Sequence, residues 1–365
     1  MKALILAGGY ATRLRPLSFV KPKLLFPIAG KPILERTFNT LVRIGVDSVV
    51  LAVNYMAYEL THRLGARYRG IRIQYSHESS PLGTGGPIKL AQQLLGSRST
   101  FLAMNGDVLF KGDLSKMVSR HKKEKPVATI ALHAVADARR FGLINVDGEM
   151  WVSSFLEKPS GERPVNGLIN AGIYLLSPEI FRYIPLGKKT SIEREVFPIL
   201  AKEGKLLGHE LEGYWTDIGT IDDYLETNFA FLKAESSDKP VIEKTARVSD
   251  TAVLRPPCLI MKKAVVKENA VIGPLAVVGR GSVVEEAACI EKSILFDGVH
   301  IGKSSTISGT IVGDRSHISD SVRLGDGTVL AGEISVRSGV KLEGGVKVCP
   351  HKDISEDITG PANIL

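Results

Sequence analysis

The chain has 365 residues, 44% hydrophobic and 24% charged, with a formal net charge of +8. That composition excludes a disordered chain and leaves enough length for two domains that bury their cores without disulfide or metal staples. The three cysteines, Cys258, Cys289 and Cys349, are too scattered for a zinc cluster and fit reduced thiols in the cytoplasm.

The opening apolar run, Ala3 to Ala7, is too short for a secretory or membrane segment. The basic excess lacks interleaved aromatics, so it argues against nucleic acid and for phosphorylated substrates. Lys2–Ala7 reads as a strand. It runs straight into Leu6-Ala7-Gly8-Gly9-Tyr10-Ala11-Thr12-Arg13-Leu14-Arg15-Pro16. Two glycines after a strand let backbone N–H groups turn toward a phosphate. Thr12 adds a hydroxyl, the planar fork of Arg13 can grip two phosphate oxygens, and Lys23 follows the rigid Pro22. The run suits a triphosphate, although it is not a GxxxxGK[ST] loop.

Pro32–Ile44 reads as a helix, with Ile33, Leu34, Leu41 and Ile44 on one face and Gly45 beyond it. Strands are predicted at Ser48–Val53, Ile71–Tyr75, Phe101–Met104 and Val127–Leu132, with helices over 86–95 and 113–123. Alternating strands and helices predict an open, largely parallel α/β sheet covered on both faces. Asn105-Gly106-Asp107 ends one of these strands. Asp107 therefore belongs at the carboxyl edge of the sheet, where such folds bind ligands. Asp217 supplies a second carboxylate in Trp215-Thr216-Asp217-Ile218-Gly219, and Mg²⁺ on phosphates takes one or two such ligands.

From about residue 241 the period changes to six. Ile242, Val248, Leu254, Ile260, Val266, Ile272, Val278, Val284 and Ile290 keep constant spacing. A slip of one is read after Phe296, giving Ile301 and Ile307. A second slip precedes the run from Val312 through Ile318, Leu324, Leu330, Val336 and Leu342 to Val348. That period belongs to a left-handed parallel β-helix, one aliphatic residue entering from each side of a triangular coil. Such a coil exposes flat faces and edges, which predicts a homo-oligomer. The polar segment Lys233–Pro240 is the expected linker between domains at 1–232 and 241–352.

Residues 6–23 resemble the LAGGxGTRLRPLTxxxPKP loop of sugar nucleotidyltransferases. Ala11 replaces the usual glycine and Leu24 the second proline. Ala11 is expected to avoid a backbone angle that only glycine tolerates, giving the loop a slightly different shape. Phe155-Leu156-Glu157-Lys158-Pro159 resembles the family's EKP motif, and Phe141-Gly142 and Asn170-Ala171-Gly172 match further motifs. The resemblance implies a Rossmann-like, mostly parallel nucleotidyltransferase domain followed by the β-helix, with a nucleoside triphosphate and a sugar 1-phosphate as substrates and no membrane partner. It places the nucleotide on Leu6, Ala7, Gly8, Gly9, Thr12, Arg13, Lys23, Glu78, Gly83, Asn105 and Asp107. Gly142, Glu157, Lys158 and Asn170 would receive the sugar phosphate. Asp107 and Asp217 would hold Mg²⁺, and Arg13, Lys23, Asp107, Lys158 and Asp217 would carry catalysis.

The stretch Ser76-His77-Glu78-Ser79-Ser80-Pro81-Leu82-Gly83-Thr84-Gly85-Gly86-Pro87 looks most like the guanylyltransferase version, HExxPLGTAGP. A carboxylate suits the adjacent N1–H and 2-amino donors of guanine. Residues 190–198, 212–215 and 349–352 also resemble mannose-1-phosphate guanylyltransferases, so the resemblance covers nearly the whole chain. Three alternatives stand beside that expectation: UTP or dTTP with glucose 1-phosphate, a non-catalytic regulatory subunit that binds nucleotide sugars, and an acyltransferase activity on the coil.

Overall fold

Strand Lys2–Leu6 lies between Ser48–Val53 and Phe101–Asn105, parallel to both, and Ile71–His77 extends the parallel set beyond Ser48–Val53. Ala3, Leu4 and Ile5 are fully buried. A strand covered on both faces reads as an unbroken apolar run, which is how this one is written. The computed structural model describes residues 1–138, 141–156 and 166–365. Within it the chain divides into two units: Met1–Tyr10 with Leu34–Asp217, and Ala11–Ile33 with Ile218–Leu365.

The first unit holds the sheet. Its parallel centre matches the expected strand–helix alternation, and helix Ser115–Glu124 covers the stretch predicted from 113. The remaining strands differ from a largely parallel sheet. Gly167–Leu176 runs antiparallel to both Phe101–Asn105 and Ala128–Val135, and Leu143–Val146 with Val152–Leu156 forms an antiparallel flank. Asp147 and Met150 close the turn between the flanking strands, and a turn so short can only join antiparallel neighbours.

The second unit holds the coil. Its short parallel strands stack into three sheets, starting at Val241–Ile242, Arg247–Val248 and Val253–Leu254 and ending at Asn363–Ile364, Asp353–Ile354 and Ile358–Thr359. This agrees with the left-handed parallel β-helix expected from the period of six. Ile260, Ile272, Val284, Ile301, Ile318 and Leu330 are among the inward residues, each at most 1% exposed. Buried hydroxyls close the gaps between coils. Ser282 Oγ donates to Phe296 O at 3.0 Å and accepts from Val299 N–H at 3.0 Å. The first slip falls one step earlier than expected. Leu295, not Phe296, enters the coil core after Ile290. Phe296 is 2% exposed but points outward, against the rings of Phe26 and Tyr224.

Segment Ala11–Ile33 is fastened within this unit. Helix Ile221–Glu235 starts at a capping box between Thr220 and Asp223. Its Tyr224 hydroxyl donates to Pro27 O at 2.6 Å, and its Asn228 Oδ1 accepts from Ala29 N–H at 2.9 Å. No helix among the described residues is long and apolar enough to cross a membrane.

Candidate active site

In the first unit the site is built from strand ends. Leu6 pairs with Ala52 and Asn105, and Ala7 N–H donates to Ala52 O at 2.8 Å. Gly106 N–H donates to Leu6 O at 3.0 Å, so the loop and Asn105–Asp107 leave the sheet side by side. Gly8 and Gly9 differ. A Cβ on Gly8 would lie 2.8 Å from Glu78 Oε1, whereas nothing stands within 4 Å of a Cβ on Gly9. Gly8 thus lets Glu78 approach closely, and Gly9 leaves the backbone open to an incoming group.

Glu78 follows strand Ile71–His77 and is 9% exposed. Its Oε2 accepts from Leu82 N–H at 3.0 Å, while Oε1 is the oxygen beside Gly8. Burial pushes the Glu78 carboxyl up, and the Leu82 N–H works against that rise. Gly83 has φ of 78°, and a Cβ there would meet Thr190 O at 2.4 Å. Its conformation serves the join between the 76–87 segment and Thr190.

The two carboxylates expected to hold metal lie at the ends of paired strands. Strands Val108–Lys111 and Tyr214–Asp217 pair antiparallel, with Asp217 opposite Val108, the neighbour of Asp107. Asn105 approaches Gly172, where a Cβ would lie 2.7 Å from its Nδ2. Asn170 Oδ1 accepts from Gly172 N–H at 2.9 Å, and Asn170 Nδ2 donates to the Tyr174 hydroxyl at 3.0 Å. Asn105, Asn170, Asp107 and Asp217 thus surround one bulged turn. Gly142 adjoins Phe141, whose ring meets Trp215 edge-on, and Trp215 Nε1 donates to Ala171 O at 2.9 Å. Glu157 and Lys158 lie outside the described residues.

A buried network behind this turn carries no local signal in the sequence. Tyr174 is fully buried and donates to Glu193 Oε1 at 3.2 Å; Glu193 Oε2 accepts from Thr84 and, at 2.8 Å, from Ser191. Burial first, then the Glu193 charge, holds the Tyr174 phenol well above its ordinary range. Glu193 lies within residues 190–198, which resemble mannose-1-phosphate guanylyltransferases, but only the fold shows that it carries Asn170 through Tyr174.

In the second unit, Ala11 takes φ of 48° and ψ of 43°, in the left-handed helical region and outside the angles that only glycine tolerates. The left-handed helical well costs an alanine about 1 kcal/mol, whereas the regions closed to all but glycine lie elsewhere. Ser18 Oγ holds the turn by donating to Ala11 O at 2.9 Å. Thr12 and Arg13 are exposed in the short 3₁₀ turn that follows. A Cβ on Gly219 would lie 3.2 Å from both Nη atoms of Arg13 and from Asp223 Oδ2, so Gly219 is the space the guanidinium needs. Lys23 is half-exposed and opens the 3₁₀ turn Lys23–Leu25, while Leu24 points inward, 4% exposed.

Two family models match the chain: Nucleotidyl transferase over residues 2–234 and GMPPB C-terminal domain over residues 254–364. The chain belongs to the nucleotidyl transferase family. It is 37% identical over 369 residues to "Mannose-1-phosphate guanylyltransferase catalytic subunit beta" of Danio rerio and 38% identical to the protein of that name in Xenopus tropicalis, with all of each chain covered. Among solved structures, HddC from Yersinia pseudotuberculosis complexed with GMP-PN matches with a TM-score of 0.54 and 30% identity, covering 63% of this chain and 99% of that one. This nucleotidyltransferase is therefore an enzyme that moves a nucleotidyl group from a nucleoside triphosphate to a sugar 1-phosphate. Enzymes of the family generally use a divalent metal. Asp107 and Asp217 fit one, being hard oxygen donors at neighbouring strand ends.

Proposed function

We propose that the enzyme transfers a guanylyl group from GTP to mannose 1-phosphate, releasing pyrophosphate. The observation that carries the choice of base is Glu78, a buried carboxylate laid against Gly8 of the signature loop. An ionised carboxylate can accept both adjacent donors of guanine, whereas uracil and thymine offer one donor between acceptors. The full-length identity to mannose-1-phosphate guanylyltransferases supports both base and sugar.

In this reading the loop amides from Leu6 to Gly9, with Thr12, hold the triphosphate. Asn105 and Gly83 shape the nucleotide's surroundings, and Arg13 and Lys23 stabilise charge on the departing pyrophosphate. Lys158 and Glu157 hold the sugar phosphate and its hydroxyls, with Asn170 and Gly142 beside them. Asp107 and Asp217 would hold Mg²⁺, which supplies charge neutralisation at the phosphates. A phosphate monoester is ionised at neutral pH, so no general base is needed, and the chain's own work is positioning and electrostatic stabilisation. Nucleotidyl transfer is assigned to residues 1–232. The coil, expected over 241–352 and continuing to strand Asn363–Ile364, is assigned to assembly with further copies of the chain, since stacked short strands present flat faces and edges. The free cysteines support a reducing, cytoplasmic setting.

Pyrophosphate release over four nucleoside triphosphates, each with mannose and glucose 1-phosphates, tests the reading. GTP with mannose 1-phosphate is expected to give the highest kcat/KM. Glu78→Gln is expected to cut the preference for GTP by about tenfold or more, as one buried base contact is lost. A GTP rate among the poorest of the panel overturns the reading.

A further inference from the structure

Segment Ala11–Ile33 meets the coil at Val20, Lys21, Phe26 and Gly30. Gly332 lies against Val20, whose Cγ2 is 3.7 Å from the Cβ position of the glycine. Lys21 Nζ stands 2.5 Å from Asp314 Oδ2 and 4.8 Å from the centre of the Phe296 ring. The Phe26 ring meets Phe296 edge-on at 6.3 Å. A Cβ on Gly30 would lie within 3.1 Å of both Leu259 and Met261. Strand register puts Gly332, Asp314 and Phe296 on successive coils and Met261 two coils further back. As the segment advances from Val20 to Gly30, it therefore descends the coil against the coil's own direction.

The two breaks in the coil's period fall at this track. Five residues, not six, separate the inward Ile290 and Leu295, and again Ile307 and Val312. An unbroken period would send Phe296 and Gly313 into the coil core. The shortened sides send Leu295 and Val312 inward instead, and turn Phe296 out beneath Lys21 and Phe26. Lys23 lies between these two anchors, on a tight arch in which Leu25 N–H donates to Pro22 O at 2.8 Å and Phe26 N–H donates to Lys23 O at 2.9 Å.

We infer that this outer corner of the coil is the template that sets the position of Lys23, so that Lys21, Asp314 and Phe296 are positioning residues for the nucleotide step. The inference rests on the proposed role of Lys23 at the triphosphate. Lys21 and Asp314 are each 18% exposed, so their ion pair is partly shielded from solvent. Phe296 gives the Lys21 cation a ring face to rest on. With the cation fixed, the two residues to Lys23 leave little freedom through Pro22.

The test uses full-length enzyme and pyrophosphate release. Asp314→Asn keeps an oxygen for the Asp297 N–H, which Asp314 Oδ1 accepts at 3.2 Å, but removes the charge facing Lys21. Lys21→Met keeps an apolar stem over Phe296. Each change is expected to raise the KM for the nucleotide about tenfold, since displacing a group by a fraction of its contact distance has such effects. The KM for the sugar 1-phosphate is expected to stay within about twofold, and the double variant to be no worse than either single one. The exchanged pair Lys21→Glu with Asp314→Lys is expected to recover most of the loss. Unchanged nucleotide KM in both single variants, with Lys23→Ala inactive, overturns this inference alone. Full turnover in Lys23→Ala overturns it together with the reading of the loop. Additive losses in the double variant also overturn it, since they show that the two residues do not act as a pair.

Discussion

The two units assemble functional positions in opposite ways. In the sheet unit, Glu78, Asp107, Asn170 and Asp217 come from segments far apart in the chain: three are placed where a strand ends, and Asn170 where strand Gly167–Leu176 shifts register. In the coil unit, a residue's direction follows from counting: every side contributes one inward aliphatic residue, and one missing residue turns a neighbour outward, as at Phe296. A strand-end site is specified by many independent contacts. A coil surface is specified by register, so one local change is carried to every later coil.

The comparison is broken most directly at Asp107. Asp107→Ala is expected to lower kcat about a thousandfold, about 4 kcal/mol of transition-state stabilisation, in pyrophosphate release at saturating divalent metal. Full activity would remove the strand-end carboxylates from the mechanism. Glycines supply a second contrast. A Cβ on Gly313 of the coil would lie 1.5 Å from Ala331 O, while one on Gly9 of the loop would meet nothing within 4 Å. Gly313→Ala is expected to destabilise the protein by about 3 kcal/mol and Gly9→Ala by less than about 0.5 kcal/mol, measured by urea unfolding.

A smaller effect separates the units by pH. Burial lowers His121 of the sheet unit to about 4. Its Nδ1 is 2.8 Å from Thr129 Oγ1, and Nε2 is 3.1 Å from Ser177 Oγ. Above the unfolded value of about 6.5, neither state carries the proton. As pH falls from there toward 4, the unfolded chain is protonated and the folded one is not. Stability is therefore lost over that window, by about 2 kcal/mol. Urea midpoints at pH 7 and pH 4.5 are expected to show a smaller drop in His121→Asn than in the natural chain. Another small effect is at Ala11. Ala11→Gly relieves a left-handed alanine and is expected to stabilise the fold by no more than about 1 kcal/mol, because glycine loses more chain entropy on folding. A loss of stability would show that the angle is not a strain on the loop.

Much of this was legible beforehand, and the limits have identifiable causes. The β-helix could be read because its period is written in every coil. The first slip reads one step late in the sequence because Phe296 is as apolar as Leu295, and apolarity alone does not tell a residue that enters the coil core from one that packs on its outside. The parallel centre of the sheet followed from alternation, but its antiparallel flank did not, since strand direction depends on the connection and not on the strand. Gly8 announced a tight loop, yet its partner Glu78 was visible only as a motif residue. Glu193, Tyr174 and Gly219 were not singled out: they act through neighbours, and neighbours that are distant in the chain leave no local pattern.

The sequence by itself determined the reaction class and the two architectures, because phosphate-binding loops and six-residue repeats are local in the chain. Tertiary structure alone decided that Glu78 lies beneath Gly8, that Glu193 supports Asn170 through Tyr174, and that segment Ala11–Ile33 belongs with the coil. Those outcomes depend on which distant segments meet, and close packing, not local propensity, selects them.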